Sequence, residues 1–332
     1  MGGLRGEGAL NHYYFWRQNM ADKNKYRILV TGGAGFIGSN LVDRLMKEGH
    51  SVVVIDNLST GNVEFLSPMA LFYQQDIRDY NVLEKIFETH KFDYVFHLAA
   101  QISVPDSVKD PNWDAEINVM GTLNLLKLSV KYDIKKFIFS STGGAIYGDN
   151  APIPTSEDYC PHPISPYAIS KLACEKYIEF YSLQYDLNYT ILRYANVYGP
   201  KQTPKGEAGV VAIFTQNMLE KKEIVIYGDG EQVRDFVHVF DVVEANFLSI
   251  NKADKETINI STNKKTTVNE LFEVMKRKTG YENAPVYKPE RDGDVKISLL
   301  SNAKAKSILG WEPNYDLEKG VENTIEWYTT SL

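Results

Sequence analysis

Between residues 27 and 194, short and almost uniformly apolar runs alternate with longer stretches whose apolar residues recur at helical spacing. The runs at 27–31, 51–55, 71–74, 94–98, 137–141 and 190–193 predict strands. Several are apolar on nearly every residue, as a parallel sheet covered on both faces requires. The stretches 36–48, 80–89, 113–132 and 166–185 predict helices. Such regular alternation predicts an α/β protein with a doubly wound parallel sheet of Rossmann type.

After Asn196 the pattern changes. A Gly/Pro/Lys loop over 199–209 leads into a helix, then a strand at 224–227, a Gly-Asp-Gly turn at 228–230, and a strand with a helix over 233–250. Pro285, Pro289 and Pro313 punctuate shorter elements beyond. The organisation expected is a dinucleotide-binding domain over 26–195, to which roughly 234–260 return, and a smaller α/β lobe within 196–332. Residues 1–25 are glycine-rich, then aromatic (His12 to Arg17), without an apolar core or a cleavage pattern, which argues against a signal peptide. They are expected to form a disordered leader or extension, with Met20 an alternative start.

Composition narrows the class. Hydrophobic residues make up 43% and charged residues 24% of 332, ordinary for a soluble globular chain. No apolar run approaches the roughly 20 residues of a membrane span, so no membrane partner is expected. Net charge is −7, and the basic clusters at 264–265 and 276–278 are short, which speaks for solvated surface rather than a nucleic-acid face. An anionic ligand therefore needs a few well-placed arginines. Cys160 and Cys174 have neither framework nor metal spacing. Sequence leaves a disulfide between them open, but reduced thiols in a cytoplasmic enzyme are the expectation.

The first strand runs into Gly32-Gly33-Ala34-Gly35-Phe36-Ile37-Gly38, with Gly32, Gly35 and Gly38 in G-x-x-G-x-x-G spacing. Glycine permits a tight strand-to-helix turn and close approach of a diphosphate, which the free N–H groups of the helix start then face. Alone, such a loop is weak evidence. Asp56 strengthens it: a carboxylate ending the second strand can accept both adenosine-ribose hydroxyls and repels a 2′-phosphate, and no arginine stands in 57–61. The predicted cofactor is NAD rather than NADP. Asp76-Ile77 after the third strand can touch the adenine, or Asp76 is simply a turn former.

Tyr167 and Lys171 are four apart at the start of a helix and so share a face. A nearby ammonium, with a positive nicotinamide ring, favours a phenolate, and each pKa unit is worth about 1.4 kcal/mol. With 21 tyrosines in the chain the spacing alone carries little. Its weight comes from Ser140-Ser141-Thr142-Gly143-Gly144 at the end of the fifth strand, the edge where open α/β sheets bind ligands. Thr142 can hydrogen-bond a substrate hydroxyl, or merely cap backbone.

These stretches resemble the extended short-chain dehydrogenase/reductase superfamily and, within it, the UDP-glucose 4-epimerase family. The matching segments are TGGAGFIGS (31–39), DNLSTG (56–61), HLAAQ (97–101), SSTGGAIYG (140–148), SPYAISK (165–171), RYANVYGP (193–200), GEAGVVAIF (206–214), VRDFVHV (233–239) and RDGDV (291–295). The resemblance covers about 26–330 in the family's order. It implies that Tyr167 is the base, that Lys171 holds the nicotinamide ribose and tunes Tyr167, and that Thr142 fills the Ser/Thr position. It places Gly32, Gly35, Phe36, Ile37, Gly38, Asp56, Asn57, Ser59, Thr60, Gly61, Asp76, Ile77, Leu98, Ala99, Ala100, Gln101, Asn118 and Tyr194 around NAD. Asn196, Val211, Tyr227, Arg234, Arg291 and Asp294 match positions that hold the UDP moiety, the two arginines facing the diphosphate.

The implied activity is an NAD-dependent UDP-hexose 4-epimerase: Tyr167 takes the 4-hydroxyl proton while C4 gives up hydride, and the transient 4-keto sugar turns over before hydride returns. A sugar 4,6-dehydratase shares the scaffold but carries Asp-Glu after its Thr, where this chain has Gly143-Gly144. A UDP-glucuronate decarboxylase or 4-epimerase needs a further cation for the sugar carboxylate. Outside enzymes, the alternative is an inert NAD-binding regulatory protein, which the intact Thr142, Tyr167 and Lys171 disfavour. The family's gate beside the sugar 2-substituent falls at Ser298, whose small side chain predicts acceptance of UDP-N-acetylhexosamines as well. By analogy, relatives dimerise through two helices per subunit, here 113–132 and 166–185, so a homodimer is expected.

Overall fold

The computed structural model describes residues 25–204, 209–290 and 296–331. The leader, residues 206–208 of the glycine-rich loop, and the predicted ligand contacts Arg291 and Asp294 lie outside the described residues.

The first half alternates as its sequence pattern predicts. The chain runs β1 (Arg27–Thr31), α1 (Phe36–Lys47), β2 (Ser51–Asp56), β3 (Leu71–Gln74), α2 (Tyr80–His90), β4 (Tyr94–His97), α3 (Val104–Lys109) and α4 (Pro111–Ala115). A π turn (Glu116–Met120), α5 (Gly121–Lys131), β5 (Lys136–Thr142), the single turn α6 (Gly143–Ile146), α7 (Pro166–Tyr185) and β6 (Tyr189–Tyr194) follow. Within each strand, side chains of alternate residues go to opposite faces. Ile28, Val30, Val52, Val54, Phe96 and Ile138 pack in one buried cluster with Leu41 and Leu45 of α1. Leu29, Val53, Ile55, Val95, Phe137 and Phe139 pack in another with Leu83, Leu125 and Ile178 from α2, α5 and α7. Two buried faces explain why these strands are apolar throughout.

The rest of the chain comprises β7 (Asn196–Tyr198), α8 (Val210–Leu219), β8 (Val225–Tyr227), β9 (Val233–Arg234), β10 (Phe236–His238), α9 (Val239–Leu248), β11 (Glu256–Ile260), β12 (Thr266–Thr267), α10 (Val268–Thr279), β13 (Val286–Lys288) and α11 (Leu317–Ser331). The main sheet has the order β11-β6-β5-β4-β1-β2-β3, with every neighbouring pair parallel. Three two-stranded pairings, β7 with β10, β8 with β13 and β9 with β12, surround a smaller core of Tyr198, Phe214, Ile226, Leu271 and Phe272. Thr267 and Glu270 close a reciprocal capping box at the start of α10.

Two elements differ from the sequence expectation. The single helix expected over 113–132 contains the π turn, whose wider ring leaves the Asn118 carbonyl to accept from Thr122 Oγ1 at 2.6 Å and Cys174 Sγ at 3.2 Å. Residues after β4 form α3, started by Ser103, whose side chain accepts from Asp106 N.

Candidate active site

The first side of the cleft is the turn from β1 to α1. Gly32 adopts φ +69°, and a Cβ there would lie 2.6 Å from the Ala99 nitrogen. A Cβ on Gly38 would overlap the Gly32 carbonyl oxygen, so only glycine lets the helix start so close to the strand. Gly35 is the N-cap of α1 and offers no side chain to the first N–H groups, which leaves them to a ligand. Phe36 and Ile37 follow, half-buried.

Asp56 ends β2 with its carboxylate buried, accepting from Ala34 N at 3.0 Å and Leu58 N at 2.8 Å. Burial raises its pKa, and the two N–H groups act against that. Asn57, Ser59 and Thr60 are exposed along the rim, with Gly61 packed on Asp56. Asp76 accepts from Arg78 Nε at 2.9 Å and Asn57 Nδ2 at 3.0 Å, and chiefly the Arg78 bond holds its carboxyl down at about 2. Ile77 belongs to the buried core beside Leu125, so its side chain is structural. An uncapped helix start, a turn without room for Cβ atoms and a fixed acceptor at the second strand end fit a dinucleotide with free ribose hydroxyls.

The floor is the turn after β4. Leu98 N donates to Thr31 O at 3.1 Å and Ala99 N to Thr31 Oγ1 at 3.3 Å; Leu98, Ala99 and Ala100 are half-buried. His97 beneath them lies between the Thr31 and Thr122 hydroxyls at 2.7 and 2.9 Å, and burial holds it neutral, its pKa down at about 3. Gln101 N donates to Asn118 Oδ1 at 2.9 Å, which ties the turn to the π helix.

The third side joins β5 to α7. Ser165 caps α7, accepting from Ala168 N at 3.3 Å, and Pro166 occupies its first turn. Tyr167 N donates to Ser107 Oγ at 3.2 Å, which locks the helix start against α3. Thr142, closing β5 beside it, lowers the Tyr167 phenol, yet burial dominates and pushes it up to about 12. Lys171 donates to the Ser140 carbonyl at 2.8 Å, and burial pushes its amine down to about 8. Burial is the largest influence on the phenol, and Thr142 is the group of the chain that favours the phenolate.

The remaining predicted residues spread over the cleft mouth and the smaller lobe. Tyr194 turns its hydroxyl to Ser140 Oγ (2.9 Å) and to Asn246 of α9, so it is engaged away from Tyr167. Asn196 opens β7, its N donating to Asp235 O at 2.9 Å. Val211 is buried among Phe214 and Ile226, which leaves only its backbone for a ligand. Tyr227 and Arg234 end β8 and β9, half-buried, and Ser298 is half-buried with its N donating to Val233 O at 3.0 Å.

Several groups around the site had no local signal. Glu175 and Arg193, both buried, form a two-pronged ion pair at 3.0 and 2.6 Å, and Arg193 also donates to Tyr147 OH at 2.8 Å. Asp235, also buried, accepts from Thr262 N, Thr262 Oγ1 and Asn263 N at 2.9, 2.7 and 3.1 Å, fixing the strand that carries Arg234. Asp114 lies fully buried beside Gln101 and Asn118.

A model described as the NAD dependent epimerase/dehydratase family matches residues 28–261. A crystal structure of UDP-glucose 4-epimerase with UDP-glucose from Thermotoga maritima is 57% identical, with TM-score 0.91, and covers 92% of this chain and 99% of its own. The Thermus thermophilus UDP-glucose 4-epimerase complex with NAD is 41% identical, with TM-score 0.87 and coverage of 92% and 100%. A UDP-N-acetylglucosamine 4-epimerase from Methanobrevibacter ruminantium, in complex with UDP-N-acetylmuramic acid, is 38% identical, with TM-score 0.88 and coverage of 93% and 99%.

Proposed function

Because this chain belongs to the NAD dependent epimerase/dehydratase family, we propose that it is an NAD-dependent UDP-hexose 4-epimerase, an isomerase that interconverts UDP-glucose and UDP-galactose. The observation that carries the reading is that Tyr167 and Lys171 stand one turn apart on α7, with Lys171 fixed to the Ser140 carbonyl at the end of β5 and Thr142 closing that strand, in a fold whose first strand ends in a glycine turn without room for Cβ atoms. Bound NAD supplies a positive ring and a reversible acceptor for the C4 hydride.

The chain does the rest. The start of α1 faces the diphosphate, Asp56 accepts the adenosine-ribose hydroxyls, and Lys171 holds the second ribose. Tyr167 takes the proton from the sugar 4-hydroxyl and later returns it, while Thr142 orients that hydroxyl and donates to the forming phenolate. Arg234, with Arg291 and Asp294 outside the described residues, grips the UDP portion, and Asn196, Tyr227 and the Val211 backbone border it. A firm nucleotide and a loosely held sugar let the 4-keto intermediate present its other face, and proton and hydride go back with C4 inverted. Gly143 and Gly144 offer no proton carrier for removal of water, so the dehydratase reading gains no support.

Three finer readings accompany this one. Use of UDP-N-acetylglucosamine as well is supported by the small side chain of the half-buried Ser298 at the position proposed to border the sugar 2-substituent. A homodimer is supported by an unpartnered apolar face: Ile169, Phe180 and Leu183 of α7, Trp113 of α4 and Met120 of the π turn are all exposed. A cytoplasmic location is supported by Cys160 and Cys174 both being free thiols. The test of the main reading is product analysis: UDP-glucose incubated without added reductant should give UDP-galactose with no build-up of NADH. Accumulating NADH, or no epimer from NAD-loaded protein, would sink it.

A further inference from the structure

Gln101 and Asn118 are laced together, since Asn118 Nδ2 donates to Gln101 O at 3.0 Å and its Oδ1 accepts from Gln101 N. Both side-chain amides then converge on one oxygen of Asp114, Gln101 Nε2 and Asn118 Nδ2 each at 3.1 Å from Oδ1. Asp114 is 0% exposed, and among the described residues its Oδ2 has no hydrogen-bond partner. No described cation reaches either oxygen at ion-pair distance. A buried carboxylate with an unmet oxygen is strongly unfavourable unless a positive charge lies within reach.

α4 packs against α7, which carries the buried Lys171. The groups around Lys171 are few. His97 on β4 is neutral, as described. Tyr167, Cys174 and Glu175 share its helix, and Asp114 stands on the neighbouring α4, near enough for its charge to act on the amine. The Cys174 thiol is pushed up to about 11 by burial and is uncharged at neutral pH. Glu175 is engaged by the Arg193 guanidinium and by the Ser141 hydroxyl. Of the anions near this amine, Asp114 alone has no cation of its own.

From this geometry we infer that Asp114 is a positioning residue: its carboxylate, fixed by the Gln101 and Asn118 amides, is the counter-charge that keeps Lys171 an ammonium beside Tyr167. The inference rests on Tyr167 and Lys171 being the reacting pair. Cys174 and Glu175, and after them Asp114, oppose the effect of burial on Lys171, so removal of the Asp114 charge lets the amine lose its proton at lower pH. Asp114 also raises Tyr167, so its removal lets the phenol ionise at lower pH. Both limbs of the rate profile therefore move to the acid side. A merely structural role lowers the rate at every pH and leaves the limbs in place.

The test uses the NAD-loaded enzyme with UDP-glucose between about pH 6 and about pH 10, comparing wild type with Asp114→Asn. Both limbs of kcat should move down by about half a unit or more, with KM changed less than about twofold. Limbs that stay in place overturn the inference. Tyr167→Phe separates the two readings. If that variant turns over normally, the catalytic assignment falls and this inference with it; if it is inactive while Asp114→Asn keeps its limbs, only this inference falls. Thermal unfolding supplies a readout independent of activity. Lys171→Met strands the carboxylate, so Asp114→Asn should raise the Tm of the Lys171→Met protein although it does not raise that of the wild type. Equal effects in the two backgrounds overturn the inference, and the double variant can be measured even if Asp114→Asn alone folds poorly.

Discussion

Thr142, at the end of a strand, acts on Tyr167, in the first turn of a helix, by favouring its phenolate. That influence works against a burial that pushes Tyr167 up to about 12. Thr142→Val removes the donor and keeps the shape. On the proposed assignment kcat should fall about 10- to 100-fold with KM little changed. With its lowering influence gone the Tyr167 pKa rises, so the acid limb of the rate profile moves to higher pH. A steady-state pH profile checks both; an acid limb that stays put would remove Thr142 from the mechanism.

Asp56→Ala should loosen the cofactor. A carboxylate accepting two ribose hydroxyls contributes through charged hydrogen bonds, so NAD affinity should drop about 10-fold or more while NADP ceases to be repelled. Fluorescence titration of cofactor-stripped protein with NAD and NADP measures the ratio directly. Unchanged discrimination between the two would count against Asp56 as the ribose acceptor.

If Ser298 borders the sugar 2-substituent as proposed, Ser298→Tyr fills that space. Activity on UDP-N-acetylglucosamine should fall about 10-fold or more, and that on UDP-glucose less than about twofold, as a steric gate requires. Equal loss on both substrates would show that Ser298 does not face the sugar.

Glu175→Gln breaks a buried ion pair and leaves the Arg193 guanidinium without its counter-charge. Stability should fall by about 3–5 kcal/mol, readable by denaturant unfolding. Replacing Glu175 and Arg193 together by apolar residues should cost less than the single change, a comparison that separates charge stranding from lost packing.

Phe180→Asp places a charge on the exposed face of α7. If that face joins two subunits, sedimentation should show a monomer where the wild type is a dimer, with NAD content preserved. A wild type that sediments as a monomer would dispose of the homodimer.

The chain's local signals account for the scaffold and for one side of the cleft. Strands buried on both faces announce themselves as uninterrupted apolar runs, and β1, β3 and the extent of α7 were legible to the residue. The glycine turn and Asp56 were legible because a tight strand-to-helix crossing and a strand-end carboxylate follow from sequence spacing alone. Asp114 was not. It reads as one more polar residue in an amphipathic helix, and its burial arises only when α4 is pressed against α7. The π turn has no compositional mark, so nothing in the sequence says that the Asn118 carbonyl meets the Thr122 hydroxyl and the Cys174 thiol. Glu175 and Arg193 lie on different elements, and nothing local says that they meet. How far burial acts on Tyr167 has no local signal either, since desolvation depends on everything folded around the ring.

The seventh strand of the main sheet, β11, stands beside β6 although the whole of β7 to α9 intervenes in sequence. A nascent chain that has not yet released Ile260 from the ribosome leaves the flank of β6 bare, so synthesis must run well into the second half before the first can close. The two halves should accordingly melt as one unit, and cutting the gene at their apparent junction should yield two insoluble fragments rather than two working modules.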